Sequence, residues 1–138
     1  MSMTFDTKVA IIVRNDLPVW QKLNVTAFTI SGIAGTVEDI MGEPYEDGSG
    51  NQYLPMIRQP ILIFEADADQ MRKAYERAMR REVKLAIYTE ELFATGNDID
   101  NRAAVKAKIG DELNLVGIAF HDKKKTVDRV LEGIHLHQ

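Results

Sequence analysis

The stretch Lys8-Val-Ala-Ile-Ile-Val-Arg-Asn-Asp-Leu-Pro18 decides the fold. Val9–Val13 is uniformly apolar and mostly β-branched, which is typical of a strand buried on both faces. Polar turn residues break this run, and Leu23–Ala34 then predicts a helix. A buried strand that leads through a polar turn into a helix is typical of α/β folds, which place ligands at the carboxyl ends of their strands.

Two apolar stripes run along the first predicted helix. The first stripe contains Val25, Phe28, Gly32 and Ile33, and the second contains Leu23, Ala27, Ile30 and Ala34. Because apolar residues on two faces indicate a helix enclosed by protein, we expect contacts on both sides of it. The sequence therefore predicts a homodimer that buries the second stripe.

The remaining pattern alternates strands with helices. Predicted strands are Pro60–Phe64, Val83–Tyr88 and Leu113–Phe120. Asp67 and Gln70 predict a capping box that begins the second helix. A short helix capped by Asp98 or Asp100 is expected within Ile99–Ile109. A last helix is expected near the end of the chain, before a frayed tail. The sequence thus predicts an α/β fold, a three-layer α/β/α sandwich with a small mixed sheet of about four strands, in one domain over residues 1–138.

Composition excludes several classes of protein. The 138 residues include 17 basic and 21 acidic side chains, a net charge of −4, and no cysteine. A general nucleic-acid binder carries a basic excess, so we do not expect a nucleic-acid partner. The absence of cysteine excludes disulfides, and no apolar run is long enough for a membrane span. Because the first residues do not resemble a signal peptide, the sequence predicts a cytoplasmic protein.

Three motifs fail on their spacing. The glycines of Asp47–Asn51 match neither phosphate-loop pattern, so a plain turn or hairpin is expected between Pro44 and Pro55. A calcium loop that began at Asp98 would need glycine and glutamate where Ala103 and Ile109 stand. His135-x-His137 lacks a third ligand at a recognisable spacing. We therefore expect neither a metal nor a cofactor.

A collective polar site is the strongest functional candidate. Polar residues follow the first predicted strand and the third, and the carboxyl ends of parallel strands meet at one edge of a sheet. Carboxylates beside an arginine and amides can position a water or bind a small polar ligand, but such groups also cap helices and pair with one another. The predicted catalytic residues are Asp16, Glu90 and Asp98, and the predicted ligand-binding residues are Arg14, Lys22, Asn24, Thr95, Asn97 and Arg102.

Three segments resemble the type 2 peptidyl-tRNA hydrolases. Lys8–Leu17 is similar to that family's opening strand, Pro60–Ile87 to its middle strand–helix–strand, and Leu113–Leu136 to its closing strand and helix. More closely, the sequence resembles the uncharacterised bacterial domain-of-unknown-function 2000 family, which is related to these hydrolases. Segments similar to that family's own pattern are Phe93-x-Thr95, Asn97-Asp98, Asn101-Arg102 and Gly133-x-His135-x-His137.

The resemblance implies the fold more than the activity. The hydrolases open their first helix with a Gly-Lys-x-Ala-Ala-Gln-x-x-His signature, whose Lys, Gln and His fall here on Asn24, Phe28 and Ser31 with one inserted residue. Lys22 is near but out of register. Since Asn24 supplies no positive charge for a phosphate or an oxyanion, peptidyl-tRNA cleavage is the weakest of three hypotheses. The first is a diverged hydrolase acting on a small polar substrate, and the second is a non-enzymatic homodimeric ligand-binding or regulatory module.

Overall fold

The structure is a computed structural model, and it describes residues 4–138. It is a mixed α/β fold with a five-stranded mixed sheet, a two-stranded hairpin and, in residues 4–138, four α-helices. The elements in chain order are β1 (Thr7–Arg14), α1 (Val19–Thr36), β2 (Tyr45–Glu46), β3 (Gln52–Tyr53), β4 (Ile61–Ala66), α2 (Ala68–Arg80), β5 (Leu85–Thr89), α3 (Asp98–Lys106), β6 (Leu115–Lys123), α4 (Lys124–Val130) and β7 (His135–Leu136).

β1 occupies the middle of the main sheet, whose strand order is β5-β6-β1-β4-β7. It pairs parallel to β4, with Ile11 opposite Ile63, and antiparallel to β6, with Ile11 opposite Ala119. β5 is antiparallel to β6 and therefore points the same way as β1. The carboxyl ends of β1, β4 and β5 consequently lie at one edge of the sheet, as the sequence predicted for β1 and β5.

Helices pack on both faces of the sheet. Successive side chains of β1 point to opposite faces of the sheet. Ile11 packs in a cluster with Ile33 of α1, and Ile12 packs in a cluster with Ala74 of α2 and Val127 of α4. These side chains are almost completely buried. Burial on both faces explains why Val9–Val13 contains no polar residue.

α1 is longer than predicted and begins four residues earlier, at Val19 after Pro18. The backbone oxygen of Pro18 accepts hydrogen bonds from the amides of Gln21 and Lys22. Val25 and Ile33 of the first stripe are buried, as expected, but Phe28 is more than half exposed. In the second stripe Leu23 and Ala27 are exposed and Ala34 is half-buried, while Ile30 is half-buried against the cluster that contains Val9 and Ile11 of β1.

The short-range predictions for α2 and the hairpin are confirmed. Asp67 Oδ1 accepts from the Gln70 amide at 2.8 Å, and the Asp67 amide donates to Gln70 Oε1 at 2.9 Å, which is the predicted capping box. Asp47 closes the β2–β3 turn by accepting from the amides of Ser49 and Asn51. α3, in contrast, is capped by the side chain of Asn97 and not by Asp98 or Asp100.

The main sheet has five strands, one more than the four or so that the sequence predicts. His135–Leu136 forms β7, antiparallel to β4, where a frayed tail was expected. Gly133 adopts a φ of 80°, which glycine tolerates and which turns the chain back toward the sheet. The His137 amide then donates to the Ile63 oxygen at 2.9 Å, so the backbone of β4 supplies the pairing that the sequence pattern does not reveal.

None of the helices in residues 4–138 combines the length and the apolar character that a crossing of the bilayer needs.

Candidate functional site

At the carboxyl edge of the sheet, Arg14 joins two loops. Its Nε and Nη2 donate to the two carboxylate oxygens of Asp16 at 3.0 and 2.7 Å, and its Nη1 donates to Asn114 Oδ1 at 3.0 Å. Asn114 Nδ2 donates in turn to Glu90 Oε2 at 2.5 Å. The predicted Arg14, Asp16 and Glu90 are therefore brought together, with Asn114 as the link.

The ion pair of Arg14 and Asp16 shifts the pKa of both groups. The Arg14 hydrogen bonds and positive charge lower the pKa of Asp16, and the Asp16 hydrogen bond raises the pKa of Arg14. A carboxylate that accepts two guanidinium bonds is held in its ionised form. Asp16 is thus a stable anion with both oxygens occupied.

Asn114 was not among the site residues predicted from the sequence. It stands directly before β6, which begins at the same edge of the sheet because β6 runs antiparallel to β1 and β5. An asparagine just before an antiparallel neighbour strand is the signal that could have identified it, but only once the strand directions are known.

A groove between α1 and α3 contains the second group of predicted residues. One part encloses about 430 Å³ and the adjoining part about 540 Å³, and both fall in the size range of small-molecule sites. Asn24 of α1 and Thr95, Asn97 and Asp98, in the loop before α3 and at the start of that helix, line the first part. Arg102 lines the second part.

Aromatic side chains form much of the groove. Tyr88 lies between Phe28 and Phe93, with ring centroids at 5.7 and 5.0 Å, and Phe93 meets Trp20 edge-on at 5.9 Å. Burial raises the pKa of Tyr88, whose hydroxyl donates to Asn24 Oδ1 at 3.3 Å. These four rings were not among the predicted site residues, although Trp20 and Phe28 are spaced at i and i+8, on one flank of α1 with Asn24 midway between them.

The predicted loop residues have mixed roles. Asp98 forms an ion pair with Arg102 at 2.6 Å on the exposed surface of α3. Asn97 caps that helix, because its side-chain oxygen accepts from the Asp100 amide. The Thr95 hydroxyl is hydrogen-bonded to Asn101. Asn101, which was not among the predicted residues, lines both parts of the groove.

Lys22 makes no hydrogen bond to either group, although its positive charge contributes to the lowered pKa of Asp16. Its Nζ is 3.1 Å from His137 Nε2, which is 3.7 Å from Glu65 Oε2. Arg14, Asp16 and Glu90 do not line the two parts of the groove that contain Asp98, so the single shared cleft stays a prediction. The 3₁₀ turn Glu90–Ala94 contributes Glu90 to the network and Phe93 to the groove, so the two groups adjoin. Within residues 4–138, no three acidic or histidine side chains cluster as metal ligands.

Comparisons with known proteins extend over nearly the whole chain. The model of DUF2000, a family described as proteins of unknown function, matches residues 7–138. The solved structure of Atu0240, a protein of unknown function from Agrobacterium tumefaciens strain C58, is 45% identical with a TM-score of 0.95, and the match covers 98% of this chain and 100% of that one. A search of curated proteins gave no significant match.

Proposed function

This chain belongs to the DUF2000 family, and we propose that it is a ligand-binding protein that takes up a small planar molecule between α1 and α3. The observation that carries the proposal is the row of aromatic rings beside side-chain amides in this groove. Such a combination binds a flat ring by stacking and orients it by hydrogen bonds.

The rings supply the apolar part of the binding energy. Trp20 is 60% exposed and Phe28 is also more than half exposed, although both line the groove. A planar ligand that inserts beside them removes aromatic surface from water. It also gains contacts with the two rings that water does not provide.

The amides select a ligand with hydrogen-bond acceptors. Among residues 4–138, the Nδ2 groups of Asn24 and Asn101 have no acceptor, although each side-chain oxygen is engaged. A carbonyl oxygen or a ring nitrogen at the edge of the ligand would accept from these groups. We therefore propose a heteroaromatic ligand with such atoms, which is a narrower class than the small polar molecule expected from the sequence.

The bonds that the three predicted catalytic carboxylates already make favour binding over hydrolysis. Asp16 is held by Arg14 with a lowered pKa, and Asp98 is paired with Arg102. Glu90 accepts from Asn114. A general base works best with a pKa near the working pH and with a free oxygen. Asp16 offers neither, because its pKa is lowered and both of its oxygens accept from Arg14.

We also propose a distant relation in fold to the type 2 peptidyl-tRNA hydrolases, without their activity. The order of the major elements supports it, and Asn24, Phe28 and Ser31, the positions of the missing signature residues, all line the groove. Because none of the three carries the signature's chemistry, we expect no cleavage of peptidyl-tRNA.

The single tryptophan provides a direct test. Since Trp20 is the only Trp and lines the groove, its fluorescence reports on occupancy. Titration with a panel of planar compounds that includes adenine, nicotinamide and a quinolinone should give saturable quenching for at least one, with Kd below about 1 mM. If no compound of the panel changes the fluorescence at several millimolar, the proposal fails.

Two variants and a matched control locate the binding. Asn101→Ala and Phe28→Ala should each weaken the compound that binds best by about tenfold, which corresponds to about 1.4 kcal/mol. Tyr53→Ala, which removes an exposed aromatic side chain on the β2–β3 hairpin, should leave its Kd unchanged. Equal loss in all three variants would show binding outside the groove.

A further inference from the structure

One face of β4 is left uncovered by the helices. α1 packs over β1, β5 and β6. Ile61 and Ile63 of β4 pair with Val9 and Ile11 of β1, so all four side chains point to the α1 side of the sheet. The two β4 residues are nevertheless 39% and 37% exposed, whereas Val9 and Ile11 are 0% and 2% exposed. An apolar row therefore remains beside α1, and no helix of residues 4–138 covers it.

The flank of α1 toward this row is apolar as well. Ile30 of this flank packs in the cluster of Val9 and Ile11, the β1 residues that pair with Ile61 and Ile63, so the flank borders the uncovered row. The exposed Leu23 and Ala27 continue along it with the half-buried Ile30 and Ala34. Although 28% of the chain is charged, residues 23–36 contain no charged side chain. A helix face in contact with water alone is normally polar.

We propose that the chain forms a homodimer in which this flank of α1 packs antiparallel against the same flank of a second copy. A two-fold axis between Ala27 and Ile30 places each Ala27 against Ile30 of the other copy, and each Leu23 against Ala34. Every large side chain then meets a small one. The spacing of four and three residues matches helix pairs that cross at about 20°.

A second copy fits this face better than an unrelated partner because the face is its own complement. The two-fold arrangement brings identical neutral stripes together, so the net charge of −4 on each copy is not concentrated at the contact. An 18-residue helix is about 27 Å long. The uncovered β4 row adds apolar surface to the same contact, as an interface of ordinary size, about 800 Å² from each partner, requires.

The dimer face adjoins the ligand groove. Asn24 and Phe28 line the groove on the α3 side of α1, and Trp20, which also lines it, stands seven residues before Ala27 and so borders the stripe. Mass and cross-linking report on the dimer alone and ligand titration reports on the groove, so failure of one proposal is distinguishable from failure of the other.

Light scattering coupled to size-exclusion chromatography measures the mass directly. The wild-type chain should elute at twice its 15.6 kDa mass when loaded at about 100 µM, well above the Kd of an ordinary dimer. Ala27→Glu, which places a charge on the exposed centre of the stripe, should elute as a folded monomer. The matched control Met79→Glu changes an exposed apolar residue of α2 and should remain a dimer.

Cysteine cross-linking tests the antiparallel register. The chain contains no cysteine, so each introduced thiol is unique. A mixture of Ala27→Cys and Ile30→Cys should form a mixed disulfide under mild oxidation, while Met79→Cys should not cross-link. A monomeric wild-type chain, a dimer that survives Ala27→Glu, or cross-links no greater than those of Met79→Cys would each overturn the proposal.

Discussion

Gly117 of β6 lies directly against Val25 of α1, and a Cβ at position 117 would overlap the Cγ1 of Val25. The missing side chain lets the helix approach the sheet closely. Gly117 pairs with Tyr88 of β5, and Asn24 and Phe28 are neighbours of Val25 on the helix, so the close approach brings these two groove residues toward Tyr88.

Gly117→Ala should destabilise the protein by about 1–3 kcal/mol, since the added methyl group forces a shift of the helix in a packed core. Urea denaturation measures the change. Gly48→Ala is the control, because a Cβ there meets no atom within 4 Å. The double variant Gly117→Ala, Val25→Ala should be less destabilised than the sum of the two single variants. An additive result would show that the two residues are not in contact.

Asp16→Asn should lower stability at neutral pH by up to about 1 kcal/mol, because an exposed ion pair contributes little more. The pKa of Asp16 is lowered in the folded state, so its contribution is fully present above the ordinary value of 3.8. It declines as the pH falls below that value and is lost once the pH passes the lowered pKa. Denaturation of both proteins between pH 7 and pH 2 should therefore converge in acid; a constant difference would contradict the ion pair.

Removal of residues 135–138 should destabilise the protein by about 1–2 kcal/mol, since the β7–β4 pairing and the His137 amide bond to Ile63 are lost. The exposed edge of β4 should also increase aggregation. Thermal unfolding and static light scattering measure both effects. Replacement of His135, Leu136 and His137 by alanine keeps the backbone bonds and should cost less; an equal loss would mean that the side chains, not the strand pairing, stabilise this edge.

Much of the fold was predictable from local patterns. The run Val9–Val13 identified the central strand because burial on both faces requires continuous apolar residues. Asp67 and Gln70 identified the start of α2, since a capping box satisfies the first helical amides within one turn. The segments that resemble the DUF2000 family were also sufficient to recognise it, and the match over residues 7–138 confirms that recognition.

The candidate site was predictable only in part. The polar residues after β1 and β5 do reach one edge of the sheet, but Asp16 and Asp98 belong to different groups. Lys22 lies on a different flank of α1 from Asn24, where it contacts His137. Helix phase decides this separation, and a shift of two residues from Lys22 to Asn24 moves a side chain by about 200° around the helix.

By itself the sequence determined where four of the five strands of the main sheet and most helices lie, and it determined the capping box of α2 and the turn between β2 and β3, because these depend on residues within a few positions of one another. Tertiary structure alone decided that Arg14 bonds Asn114, 100 residues away, and that Tyr88 bonds Asn24, 64 residues away. Such partners are set by strand order and by the close approach of α1 to the sheet, which no local pattern encodes. The groove of aromatic rings exists for the same reason: its walls come from separate elements that meet only when the sheet is assembled.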